Sequence, residues 1–142
     1  ALAAKLVPFG KGILEADGHV DGKARFGTPG EVLTDRRHPE IGRFLREQTD
    51  AKGRRLNVTE VDPPAKVRGK SADFCRCYLN FYLANGAVIM ASFGDSNADR
   101  RAQHSIARAY PGRQVVALDL DAIAGGGGLM HCVTQQEPLP LA

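Results

Sequence analysis

The thiol of Cys132 is the side chain best suited to covalent chemistry in this sequence. It follows four glycines, Gly125 to Gly128, whose backbone can adopt conformations closed to other residues and leave room for a ligand. The apolar run from Leu129 to Val133 predicts a short strand behind them, which would present the thiol as a nucleophile at the mouth of a pocket. Free cysteines are also among the most buried residues, and on spacing alone a role in the core is favoured.

A histidine and an aspartate near the amino end, His19 and Asp21, form the second candidate group. The apolar pair Ile13-Leu14 leads into them, and residues two apart in an extended strand face the same side. His19 and Asp21 would therefore project together into one site. Considered alone, this pattern is better explained by a polar strand end exposed to solvent.

Three segments of the chain resemble motifs of one enzyme family. The last comprises residues 126–138 and reads Gly-Gly-Gly-Leu-Met-His-Cys-Val-Thr-Gln-Gln-Glu-Pro. The first comprises residues 15–26, around His19 and Asp21, and the middle one comprises residues 78–86 with Phe93-Gly94-Asp95. In this order they resemble the agmatine deiminases and the bacterial-type peptidyl-arginine deiminases. These enzymes belong to the guanidine-modifying superfamily, whose fold is the pentein.

This resemblance implies roles for individual residues. Cys132 aligns with the family's nucleophile, His19 with its general acid/base, and Asp21 with a carboxylate that holds the guanidinium. Three further residues are expected to contact the substrate: Glu15, Gly126 and Gly127.

The reaction that the resemblance implies is hydrolytic deimination of a guanidinium. Carboxylates match the planar donor fork of this cation bidentately. The Cys132 thiolate would attack the guanidinium carbon, and His19 would protonate the departing ammonia and then activate water to hydrolyse the thiouronium. The favoured reaction converts agmatine to N-carbamoylputrescine and ammonia, with no metal or organic cofactor. The alternatives are a peptidyl-arginine deiminase and an inactive pentein fragment that acts only as a binding or structural module.

Two similar series of secondary-structure signals must position these residues. The first series predicts a hairpin of residues 24–27 and 31–34, a helix from Pro39 to Gly53, and a strand at residues 56–61. The second series predicts a hairpin of residues 78–83 and 87–93, a helix from the cap residue Ser96 to Ala109, and a strand at residues 115–120.

The spacing of glycines predicts that these series are copies of one unit. Gly86 of the second hairpin follows Gly30 of the first by 56 residues, and Gly112 follows Gly53 by 59. A strand–strand–helix–strand unit that recurs at a near-constant offset indicates a repeat architecture. The predicted fold class is therefore α/β.

The resemblance makes this fold more specific. It implies a pentein-type α/β propeller of ββαβ modules, of which two units and partial ends amount to about half of a five-module ring. We accordingly expect residues 1–142 to form the carboxyl-terminal portion of a single pentein catalytic domain, without its amino-terminal modules. Homo-oligomerisation, or association with the missing amino-terminal half, would complete the site.

Composition argues against several other classes of protein. With 142 residues, 43% hydrophobic and 25% charged, the chain suits one soluble domain. The net charge of +3 and the scattered arginines argue against nucleic-acid binding. No apolar run approaches the roughly 20 residues of a membrane span. Three cysteines in no disulfide framework indicate a cytoplasmic protein with reduced thiols.

Other candidate ligands have weaker patterns. The spacings of the cysteines and histidines match no standard zinc site, and no Lys-Ser/Thr pair follows the glycines as in a phosphate loop. Residues 62–77 form a long loop of the kind that can bind ligands. Three of its side chains could face a substrate carboxylate, although solvent exposure is favoured: Arg68, Lys70 and Arg76. Solvent exposure is also expected for Arg36-Arg37, Arg54-Arg55, Arg100-Arg101, His38 and His104.

Overall fold

The computed structural model describes residues 19–137, which form two units of the same topology. In the first unit, β1 (Ala24–Phe26) and β2 (Glu31–Asp35) pair as an antiparallel hairpin. Helix α1 (Pro39–Arg46) follows, and β3 (Asn57–Val61) returns to pair in parallel with β2. The sheet order is β1-β2-β3.

The second unit repeats this arrangement. Strands β4 (Tyr82–Ala84) and β5 (Ala87–Ser92) form the hairpin, helix α2 (Ser96–Ala109) follows, and β6 (Gln114–Asp119) pairs in parallel with β5. The sheet order is β4-β5-β6, so the recurring ββαβ unit is confirmed and the fold is α/β. None of the helices between residues 19 and 137 has the length and apolar character that crossing a membrane requires.

The hairpin turns lie where the glycines predict them. Gly30 and Gly86 have φ angles of 90° and 74°, a region that favours glycine because it lacks a Cβ. Each allows the chain to reverse within a few residues, which sets the register of the strands that follow.

Helix α1 is shorter than predicted. It begins with Pro39 and buries Ile41 and Leu45, but it ends at Arg46 rather than near Gly53. The carboxylate of Asp50 accepts hydrogen bonds from the backbone of Lys52 and Arg54, which folds this segment into a turn instead of a further helical turn.

Helix α2 has nearly the predicted bounds, but its cap is one residue earlier. Asp95 Oδ1, rather than Ser96, accepts from Ala98 N at 3.1 Å and so satisfies a free amide of the first turn. The residues that face the core recur at helical spacing, as expected: Ala98, Ala102, Ile106 and Ala109.

The main core surrounds the second sheet and joins the two units. Tyr78, Phe81 and Phe93 are almost fully buried, and the Tyr78 and Phe93 rings pack edge to face with centroids 5.1 Å apart. Leu33 of β2 and Val61 of β3 belong to the same cluster. A smaller cluster fills the first unit: Val32, Ile41, Leu45 and Leu56.

The segment before β4 departs from prediction. Of the strand predicted at residues 78–83, only Tyr82 and Leu83 are extended, as part of β4, whereas residues 78–81 form a turn and an irregular stretch. Three apolar side chains of this stretch are buried in the core, and Asn80 between them is 5% exposed. Packing in the core therefore overrides the local preference for a strand.

The loop before this segment is attached to the fold through Arg68, which was expected to be solvated. Its Nε donates to Asp121 Oδ2 at 2.7 Å, and its Nη2 donates to Ser92 O at 2.7 Å. Asp121 begins the short helix α3 (Asp121–Ala124), so this arginine connects the loop to both β5 and α3.

Asp99 provides a test of this packing. Its carboxylate accepts from Tyr78 Oη at 2.7 Å, Phe93 N at 3.0 Å and Gly94 N at 3.2 Å. We expect Asp99→Ala to lower the free energy of unfolding in urea by about 3 kcal/mol, because the donors of the buried residues Tyr78 and Phe93 lose their acceptor. Asp73→Ala, at an exposed position, should change it by less than about 0.5 kcal/mol. Equal stability of the two variants would contradict this role for Asp99.

Candidate functional site

A cleft of ≈ 380 Å³ brings the three predicted catalytic residues together. His19 and Asp21 line it from the segment before β1, and Cys132 lines it from the carboxyl-terminal segment. A second cleft of ≈ 460 Å³ lies between β3 and α2 and contains His104, but no thiol of the described residues lines it. The candidate chemistry therefore belongs to the smaller cleft.

The side-chain amide of Asn80 connects the reactive groups. Its Nδ2 donates to Asp21 Oδ2 and to Cys132 Sγ, both at 3.0 Å. Its Oδ1 accepts from the backbone N of His131 at 3.1 Å. One nearly buried amide thus fixes a carboxylate, a thiol and the backbone beside that thiol.

Asn80 is a site residue that the sequence prediction did not identify. The signal available was its position as the one amide within the apolar run Tyr-Leu-Asn-Phe-Tyr-Leu. A buried amide requires hydrogen-bond partners, so a polar residue in such a run marks either a functional contact or a structural one.

Asp21 lies in a turn rather than in the predicted strand. Lys23 N and Ala24 N both donate to Val20 O, at 2.9 and 3.0 Å, which bends the chain just before β1. The bend still leaves His19 and Asp21 lining the same cleft. Glu15, the further predicted carboxylate, lies outside the described residues.

Cys132 lies in a 3₁₀ helix, Met130–Val133, where a strand was predicted. Its backbone N donates to Leu129 O at 3.0 Å, and the Thr134 hydroxyl donates to Met130 O at 2.6 Å. An apolar run this short does not distinguish helix from strand by periodicity. Leu129 is fully buried, whereas Cys132 is exposed, so the interpretation of this cysteine as a core residue is wrong.

The glycine run shapes the approach to the thiol. Gly127 has a φ of 87° and lines the cleft, whereas Gly126 is exposed and is not among the lining residues. A Cβ on Gly128 would lie 3.0 Å from Cys132 Cβ and 3.3 Å from its Sγ. Gly128, which was not singled out, therefore makes space for the thiol.

The other two thiols of the cleft differ from Cys132 in their burial. Cys77 is buried and donates to Gly22 O at 2.9 Å, and burial raises the pKa of this thiol to about 12. Burial also raises the pKa of the half-buried Cys75. All three cysteines are free. Within residues 19–137, no group of three or more His, Cys, Asp or Glu side chains is arranged to hold a metal ion.

Basic side chains also line the cleft that contains Asp21. Arg37 and Arg76, which are exposed as expected, line it together with Lys23 and His38. Arg37 donates to both carboxylate oxygens of the buried Asp35, and this contact raises the pKa of the guanidinium. Its cationic group is therefore held in one orientation beside the site.

Comparisons of this chain with known proteins agree on one family. Residues 3–138 match the family model of the Porphyromonas-type peptidyl-arginine deiminases. A Streptomyces coelicolor protein provisionally named an agmatine deiminase is 42% identical over 134 residues, which cover 85% of this chain and 39% of that protein.

Solved structures agree with the sequence matches. The agmatine deiminase of Enterococcus faecalis has a TM-score of 0.76 at 32% identity, covering 89% of this chain and 42% of its own. A Porphyromonas gingivalis protein provisionally described as an arginine deiminase has a TM-score of 0.72 at 25% identity, covering 86% and 39%. The chain thus spans about two fifths of the length of these relatives.

The burial of the three thiols predicts their order of alkylation. At pH 8, iodoacetamide should label Cys132 first, because it is exposed, and Cys75 and Cys77 more slowly. The raised pKa values of Cys75 and Cys77 keep them protonated at this pH, so their labelling should increase only as the pH rises further. Mass spectrometry of the labelled peptides measures this order. Labelling of Cys77 before Cys132 would contradict the described burial.

Proposed function

The chain belongs to the family of Porphyromonas-type peptidyl-arginine deiminases, and from this premise we propose that it provides the catalytic segment of a hydrolase that deiminates a guanidinium substrate. One observation carries the proposal. Asp21 Oδ2 and Cys132 Sγ lie 3.6 Å apart, share the donor Asn80 Nδ2, and line the same cleft as His19. A carboxylate suited to a cation thus lies directly beside an exposed thiol.

The residues have distinct roles in this mechanism. Asp21 holds the guanidinium through its carboxylate and places the central carbon beside Cys132 Sγ. The thiolate forms a bond to that carbon, the bond to one terminal nitrogen breaks, and His19 donates the proton with which this nitrogen leaves as ammonia. Asn80 Nδ2 donates to the sulfur and keeps it oriented.

The second half of the reaction restores the thiolate. His19 takes a proton from water, the resulting hydroxide attacks the thiouronium carbon, and the carbon–sulfur bond breaks. The added hydroxyl group loses its proton to solvent, and the product carries a ureido group in place of the guanidinium. The net reaction therefore consumes one water and releases one ammonia and one proton. These steps use only protons and electron pairs that the substrate, water and the named residues supply.

We favour agmatine as the substrate, with N-carbamoylputrescine as the product. The names of the relatives from Streptomyces coelicolor and Enterococcus faecalis support this choice. Since the chain spans about two fifths of their length, we propose that it corresponds to the carboxyl-terminal portion of a pentein ring. Further modules, on the same polypeptide or an associated chain, would supply the remaining carboxylates around the substrate.

A second candidate is a guanidinium substrate that carries a carboxylate, such as a peptide ending in arginine. Among the described residues that line the cleft, Arg76 is exposed and has no carboxylate partner, whereas Arg37 is paired with Asp35. An exposed guanidinium in the cleft favours an anionic group at the far end of the substrate and disfavours the ammonium of agmatine.

Ammonia release tests the proposed chemistry. Ammonia release would be measured for the chain and for the longest natural polypeptide that contains it. In whichever of the two is active, Cys132→Ala should abolish the release, because it removes the thiol that lies 3.6 Å from Asp21 Oδ2. His19→Ala should lower turnover by about 10²–10⁴-fold through loss of proton transfer. Cys75→Ala is the matched control, since this half-buried thiol lines the same cleft and has no proposed chemical role. Near-normal turnover by Cys132→Ala would refute the mechanism.

The rim charges test the choice of substrate. Arg76 is exposed in the cleft and has no hydrogen-bond or ion-pair partner among residues 19–137. If the cleft takes a carboxylate, Arg76→Gln should raise KM for a peptide ending in arginine by about threefold and slightly lower KM for agmatine, as expected for one exposed charge. Lys70→Gln, exposed on the same loop outside the lining residues, is the control. Equal KM changes for the two substrates would exclude a carboxylate contact by Arg76.

A further inference from the structure

We propose that His131 is a positioning residue, which holds the carboxylate of Asp21 beside the Cys132 sulfur and turns its second oxygen toward the cation. This inference rests on the deimination proposed above, but it concerns a different histidine. His19 is the proposed proton carrier, whereas His131 contacts the carboxylate that binds the substrate.

The contact between His131 and Asp21 is short and well supported. His131 Nδ1 lies 2.7 Å from Asp21 Oδ2, with 36% of the histidine side chain and 14% of the aspartate side chain exposed. The backbone N of His131 donates to Asn80 Oδ1 at 3.1 Å, and this hydrogen bond fixes the backbone of His131. Because an ionised carboxylate only accepts hydrogen bonds, Nδ1 carries the proton of this contact.

The 3₁₀ helix is responsible for this geometry. It places His131 and Cys132 consecutively, so that both side chains reach the same carboxylate oxygen, at 2.7 Å and 3.6 Å. In an extended strand, two consecutive side chains would point to opposite faces. Because this segment is a 3₁₀ helix and not the predicted strand, His131 can contact the same carboxylate that lies beside Cys132.

Electrostatics explains why such support is needed. A thiolate and a carboxylate 3.6 Å apart repel each other, and Asn80 Nδ2 donates between them to both. His131 adds a second donor to Oδ2, at 2.7 Å, which holds this oxygen in place beside the sulfur. With Oδ2 occupied by these donors, Oδ1 is the oxygen that accepts the guanidinium.

Two reagents of the same size measure this effect at Cys132. 2-Chloroacetamidine carries a planar cation that resembles a guanidinium, whereas 2-chloroacetamide is its neutral counterpart. In both reactions the sulfur forms a bond to carbon and chloride leaves. The ratio of their alkylation rate constants at Cys132, followed by peptide mass spectrometry, reports how well Asp21 attracts a cation to the thiol.

Three substitutions at His131 separate positioning from a merely structural role. In the wild type the amidine should react faster than the amide, and His131→Ala should reduce this ratio by about tenfold, as expected for a lost hydrogen bond to a charged group. His131→Asn should restore most of the ratio, because its amide nitrogen occupies nearly the position of Nδ1. His131→Gln, whose donor lies one carbon further from the backbone, should not restore it.

Each outcome decides between the two proposals. A wild-type ratio retained in His131→Ala would overturn the role of His131 while leaving deimination intact. A wild-type ratio near one would overturn the proposed guanidinium site and this inference with it. If thermal unfolding shows that His131→Ala does not fold, the Asn and Gln variants decide, and equal ratios in those two would overturn the inference.

Discussion

The side-chain amide of Asn80 is the contact on which the candidate site depends. With two protons on one nitrogen and one acceptor oxygen, it satisfies a carboxylate, a thiol and a backbone amide within 3.0 to 3.1 Å. These three partners come from segments that are 59 and 52 residues away in the chain. A buried amide has few alternatives for its hydrogen bonds, so this one fixes how the segments meet.

The fold supplies the rigidity that this amide requires. Tyr78, Leu79 and Phe81 surround Asn80 in the sequence and are buried in the larger core, so the backbone that carries the amide has little freedom. Leu129 anchors the carboxyl-terminal segment in the same core, and the Cys132 thiol lies three residues beyond it. The regular ββαβ units therefore serve as a scaffold, while the reactive groups lie on turns and irregular backbone between them.

The sequence predicts the scaffold better than the site. Local rules of turn geometry predict the hairpins about Gly30 and Gly86, and helical spacing predicts the helix that begins at Ser96. All three elements are confirmed. Residues 129–133 and 78–81 were predicted as strands and are not, because burial of Leu129 and Tyr78 in the core decides their backbone. The motifs placed His19, Asp21 and Cys132 in one cleft, but Asn80 and His131 emerged only from contacts between distant segments.

Trapping the covalent intermediate would show whether Cys132 reacts with a guanidinium held by Asp21. The chain, and the longest natural polypeptide that contains it, would be mixed with agmatine, quenched in acid and digested for peptide mass spectrometry. We expect the peptide containing Cys132 to gain the mass of agmatine less one ammonia, and Cys75 and Cys77 to remain unmodified. Ammonia release with an adduct on another residue, or with none on Cys132 at any quench time, would contradict this expectation.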